Sequence, residues 1–187
     1  MFDFLTTTSY TFEDKKSYEN VILFLYRHWF VLALQIAGFV IIGLIPIVIS
    51  IALGMLFAVP KDLNSVLHLA YALFYLFWWF GLFYRITMYL LDYWIVTDHR
   101  IIDSEQHGFF NRTVAELNLA KIQDISVHII GVIPTWLDYG NLEVQTAAAT
   151  EKFFFKEIPH PQHVKDVIMD AHNVYIKAHP GDVETHV

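Results

Sequence analysis

Asp124, Ser126 and His128 stand at alternate positions of one short stretch and together hold the side chains of a hydrolytic triad. Alternate residues of a strand point in parallel, so their tips lie beyond hydrogen-bond reach of one another, and no nucleophile elbow is present. The trio reads as one polar strand face. A second group follows. His160 and His163 flank the start of a helical stretch, and His163, Asp166 and Asp170 share one of its faces at spacings of three and four. Two imidazoles and two carboxylates form a zinc ligand set. No His-Glu-x-x-His pattern accompanies them, and exposed helix faces commonly carry such residues. The chain has 10 His but no Cys, which excludes thiolate metal sites, disulfides and a cysteine nucleophile. Asn111-Arg112-Thr113 fits the glycosylation pattern, but on a cytoplasmic face it is silent. Neither a phosphate-binding glycine loop nor a dinucleotide fingerprint is present. No residue is assigned a catalytic, cofactor-binding or metal-binding role, and no cofactor is expected.

The elements that would position these groups are set by an excess of apolar residues. Hydrophobic residues make up 56% of the 187 and charged residues 17%, against about 45–50% and about 25% in soluble domains. The formal charge of −7 argues against nucleic acid as a partner, because phosphate needs a basic face. Residues 29–60 contain no Asp, Glu, Lys or Arg, and Gln35 and Ser50 are their strongly polar side chains. A bilayer core of about 30 Å needs about 20 apolar residues as helix. A second apolar run covers residues 63–84, interrupted by His68 and followed by Arg85. Pro60-Lys61-Asp62 leaves room for a tight turn alone. The expectation is a transmembrane hairpin over 29–91, with spans at about 30–59 and 63–88, both ends on one side.

Positive charge flanks this hairpin at Lys15, Lys16 and Arg27 before it and at Arg85 and Arg100 after it, against one Lys in the turn. The positive-inside rule then places both termini in the cytoplasm. Gln35 and Arg85 lie at similar distances from the turn and could pair across the hairpin, although Arg85 could equally anchor at the headgroups. Ser50, Gly54 and Ala58 are four apart, a small-residue seam suited to packing within the hairpin. Pro46 is a candidate kink.

After residue 92 the pattern changes to short strands. Residues 93–97 are aromatic and β-branched, 100–105 return after an Asp98-His99 turn, and 106–108 read as another turn. Residues 114–119, 125–129, 142–146 and 153–158 supply further strands. About six strands with regular turns make an antiparallel sheet or barrel. One helix follows: Val164, Val167, Ile168, Ala171, Val174, Tyr175 and Ala178 keep helical spacing, with Pro161 in the first turn. The fold class is α+β. The divisions are 1–28 as an N-terminal cytoplasmic segment, 29–91, a cytoplasmic domain at 92–178 and a tail at 179–187.

The run Tyr93-Trp94-Ile95-Val96-Thr97-Asp98-His99-Arg100-Ile101-Ile102 resembles the opening strands of bacterial pleckstrin-homology-like domains that flank membrane spans. Glu116-Leu117, Leu119, Lys121-Ile122-Gln123-Asp124-Ile125 and Leu137, Tyr139-Gly140-Asn141-Leu142 resemble later motifs of the same group, in the same order. The resemblance implies a strongly bent antiparallel sheet capped by a C-terminal helix, in a membrane-tethered, non-enzymatic module at the inner membrane of a prokaryote. Two places depart from the group's pattern: Asp98-His99 replaces an often basic turn, and Ala147-Ala148-Ala149 stands where glycine often follows the strand. Phosphoinositide-binding members of the wider fold use several basic residues at the first strand turn. Here Arg100 stands alone beside Asp98, which argues against headgroup binding.

The functional expectation is an interaction or scaffold module at the inner membrane face. Its partners would be the lipid bilayer and a second protein or a second copy, engaged in one mode by strand addition at a sheet edge. An alternative rests on the apolar stretch 131–137. Trp136 and Leu137 could plug an open end of the sheet, or Trp136, Leu137 and Ile133 could contact the membrane and make the protein a lipid or surface sensor. A metal-dependent membrane enzyme is the remaining alternative.

Overall fold

A computed structural model describes residues 19–56, 60–146 and 152–180. Lys15, Lys16, Ala58, the Ala147-Ala148-Ala149 run and the tail from 181 lie outside the described residues. The chain divides into two compact units, one of Trp29–Tyr89 and the other of Met1–His28 with Leu90–Val187.

The first unit holds two helices, α1 (Trp29–Leu56, 28 residues) and α2 (Lys61–Leu91, 31 residues). Both are long and apolar enough to cross a membrane. Their exposed side chains include Leu34, Ile41, Val48, Phe77, Trp79 and Phe80. Aromatic rings against glycines join the pair. A Cβ on Gly43 would stand 3.1 Å from the Trp78 ring, and one on Gly81 would stand 3.3 Å from the Phe39 ring. Trp78 Nε1 donates to the Phe39 carbonyl at 2.8 Å, and Tyr75 OH donates to the Gly43 carbonyl at 3.0 Å. The expected small-residue seam lies elsewhere: Ser50 is exposed, and a Cβ on Gly54 would meet nothing within 4 Å. Aromatic side chains fill the hairpin interior, so the helices close over Gly43 and Gly81 instead. Pro46 sits inside α1 and is buried; its ring nitrogen cannot donate to the Ile42 carbonyl.

The second unit is built on two antiparallel sheets. Strands β1 (Val21–Tyr26), β2 (Tyr93–Thr97), β3 (Arg100–Gly108) and β4 (Asn111–Asn118) form one, in that order. Strands β5 (Ile122–His128), β6 (Tyr139–Thr146) and β7 (Lys152–Pro159) form the other. A 3₁₀ turn (Leu119–Lys121) links them, a short helix α3 (Val132–Leu137) joins β5 to β6, and α4 (Pro161–Ala178) follows β7. Trp94, Val96, Ile101, Leu117, Leu119, Ile125, Leu142, Val144 and Phe155 fill the core, and Val164, Ile168 and Tyr175 of α4 add to it. The Trp94 and Phe155 rings meet with centroids 5.6 Å apart. Gly140 is required for close approach: a Cβ there would stand 2.7 Å from the His128 carbonyl oxygen.

The arrangement differs from expectation in four places. Residues 1–28 do not form a wholly separate segment, because β1 pairs with β2 from Val21↔Thr97 to Tyr26↔Tyr93. Among the described residues this unit has seven strands and begins before the helical pair, and both helices lie within the β1–β2 connection. Strand β3 continues through Gly108, which moves the turn to Phe109-Phe110. Residues 132–137 are helical: Thr135 Oγ1 and N–H both bond the Gly131 carbonyl, and Asp138 stops the turn in the left-handed region at φ 51°. Val174 is 68% exposed rather than part of the core face of α4.

Candidate functional site

The two points where the chain leaves the sheet unit are fastened to each other and to neighbouring strands. Arg27 donates to Asp92 Oδ2 at 2.8 Å and has a Glu157 carboxylate oxygen at 3.8 Å. Asp92 also accepts from the Gln106 backbone N–H at 2.8 Å, so the junction reaches β3. The His28 N–H donates to the Glu157 carbonyl at 2.7 Å, and its buried ring stacks on Tyr139 with centroids 4.8 Å apart. Burial, helped by the neighbouring His160, lowers the His28 pKa against an opposing pull from Asp138. His160 in turn bonds Asp138, the residue that ends α3.

A buried ionic cluster occupies the other end of β1. Arg100 Nε and an Nη bond the two oxygens of Glu19 at 2.9 and 3.0 Å, and its second Nη bonds Glu116. Glu19 has a side chain with no exposed area. Thr97 Oγ1 lies 2.8 Å from Glu19 and accepts from the Arg100 N–H at 2.9 Å. The bonds from Glu19, opposed by burial and aided by Glu116, raise the Arg100 pKa and keep it charged. Asn20 donates from its backbone and its side chain to Asp98, at 3.0 and 2.9 Å. Arg100 is thus committed to carboxylates, and its side chain is buried.

The apolar stretch lies on the surface. Ile130 is 80% exposed, Val132 86% and Trp136 83%; Ile133 is exposed too, while Leu137 turns half inward. Trp136 therefore does not plug the sheet. Phe110, at the β3–β4 turn, is 99% exposed, and the sequence reading passed over it. Its signal was visible in Gly108-Phe109-Phe110-Asn111, where bulky rings occupy corners that turns usually give to Gly, Asn or Asp.

The remaining candidates stay apart. The Gly43–Trp78 and Phe39–Gly81 contacts set a register that brings Gln35 to the level of Arg85, but the structure forms no hydrogen bond between them; Arg85 is exposed and Gln35 half-buried. Ser126 and His128 do not bond each other; the Asp124 carboxylate accepts from the Ile125 N–H, and His128 lies 3.8 Å from Glu143. His163, Asp166 and Asp170 are exposed on α4. Among the described residues no three His, Asp or Glu side chains gather closely enough to hold a metal ion.

No curated protein matches this chain. A solved DUF1696 family protein with a pleckstrin-homology domain, from Shewanella loihica, is similar at 12% identity and a TM-score of 0.37, over 43% of this chain and 70% of that one. The model of the family described as Bacterial PH domain matches residues 30–172, which takes in α1 and α2 and every later element through most of α4. The chain belongs to the bacterial PH domain family.

Proposed function

We propose that this protein is anchored in the cytoplasmic membrane by α1 and α2 and holds its PH-like unit at the inner face as a non-catalytic interaction module. The carrying observation is the placement of two apolar helices inside the β1–β2 connection. Strands that pair in one sheet must share one side of a bilayer, so the connection between them has to cross an even number of times. The charges at Arg27, Arg85 and Arg100 support the cytoplasmic side. Crosslinking in intact cells, followed by purification and mass spectrometry, tests the module reading. A recurrent second protein or a self-crosslinked dimer, lost when the sheet unit is deleted, is the expected result. Crosslinks confined to lipid would contradict it.

The surface-sensor reading is favoured by one observation, the exposure of Val132, Ile133 and Trp136 on α3. Tryptophan is the side chain that settles at a membrane interface. If that reading holds, Trp136→Asp weakens association of the sheet unit with lipid while leaving the fold intact, since its ring makes no core contact.

A further inference from the structure

Phe109 and Phe110 stand at the end of the unit from which α1 and α2 depart. Tyr26, Tyr93, Ser104 and Val114 lie side by side across β1 to β4. Tyr26 and Tyr93 are the last and first residues of their strands, next to the chain's exit. β3 and β4 continue past this level through Glu105↔Thr113 and Gln106↔Arg112 to Gly108↔Asn111. At about 3.3 Å per residue, this hairpin overshoots the exit by about 13 Å. The Gln106 N–H, held by Asp92, fixes its base to the junction. At the tip, Phe109 is 42% exposed and Phe110 99%.

The β5–β6 connection reaches the same junction. Tyr139, two residues past the end of α3, stacks on His28, and Trp29 of α1 follows His28. Two apolar projections, Phe109-Phe110 and Val132 with Trp136, thus belong to connections that are fastened to the junction residues Asp92 and His28. A single patch of this kind could suit many partners. Two, on elements fastened to the residues that precede and follow α1 and α2, suit the leaflet that those helices would enter.

We infer that the Phe109-Phe110 tip inserts into the interfacial zone of the cytoplasmic leaflet beside α3, so that the PH-like unit is held to lipid at two points besides its spans. This rests on the reading of α1 and α2 as membrane spans. The native chain contains no cysteine, so single-cysteine variants can each carry one environment-sensitive NBD dye. Full-length Phe110→Cys, Trp136→Cys, Asp170→Cys and Ile47→Cys proteins are reconstituted in phosphatidylcholine–phosphatidylglycerol vesicles. Nitroxide-labelled phospholipid is then added as quencher. The expected result is that the dyes at 47, 110 and 136 lose most of their emission, while the dye at 170, on exposed α4, keeps it. Quenching at 47 without quenching at 110 overturns the inference and leaves the anchor intact. No quenching at 47 removes the anchor itself. A blue-shifted but unquenched dye at 110 means that protein, a partner or a second copy, covers the tip, and this also overturns the inference.

Discussion

Arg100 is bound on both sides by carboxylates, with Glu19 wholly buried beside it. Removing one member of such a group strands a charge in the interior, at a cost of about 3–5 kcal/mol. Arg100→Met should therefore lower stability by about that amount, and Glu19→Gln added to it should restore part, as read from unfolding midpoints in detergent. Full additivity of the two losses would contradict the pairing. Asp103 gives a second test. Burial, with the negative charge of Glu105 adding to it, pushes its carboxyl up to about 6. A raised folded-state pKa means the native state holds the proton more tightly than the unfolded chain. The stability this adds is full below about pH 4 and is lost as pH rises through about 6. Asp103→Asn keeps the neutral form at every pH, so it should be more stable than the native protein at pH 8 by roughly 1–2 kcal/mol, after allowance for solvent screening, with the gap closing toward pH 4. A constant gap across that range would show that Asp103 titrates normally.

Strand β1 is the element whose role the sequence hid most effectively. Its residues, Val21-Ile22-Leu23-Phe24-Leu25-Tyr26, are apolar without clean alternation, and only Arg27 and His28 part them from the apolar helix that follows. Nothing local says that the partner strand lies beyond both helices. The strands after residue 92 were legible, because alternation, turn residues and the periodicity of α4 act over short distances. Helix α3 was not, since six residues are too few to show a period and its start rests on bonds to the Gly131 carbonyl. The consequence is testable. Residues 92–187 alone lack Leu23 and Leu25 from the core and leave the β2 edge unpaired. That fragment should aggregate or show poorly dispersed amide spectra. A chain in which a short Gly-Asn turn replaces residues 29–90 keeps β1, and it should be soluble with a dispersed spectrum. Equal behaviour of the two would make β1 dispensable.

At the scale of the whole molecule, connectivity constrains topology more tightly than charge counting does. The flanking basic residues favour one side, yet Arg27 and Arg100 end in ion pairs with Asp92, Glu19 and Glu116. Pairing of β1 with β2 is independent of that bias and puts both flanks of α1 and α2 together. The site was only partly legible for the same reason. Trp136, Ile133 and Leu137 stood out as an apolar run, but their nearness to the chain's exit, and that of Phe110, depends on strand register that no local pattern carries.

The most direct measurement is whole-cell labelling of Asp62→Cys and Asp170→Cys proteins with a membrane-impermeant maleimide, before and after lysis. The account predicts that position 62, in the first turn of α2, labels in intact cells, whereas position 170 on α4 labels only once the membrane is opened. Labelling of position 170 in intact cells, or of neither position until lysis, would contradict a membrane hairpin set within the PH-like unit and facing it to the cytoplasm.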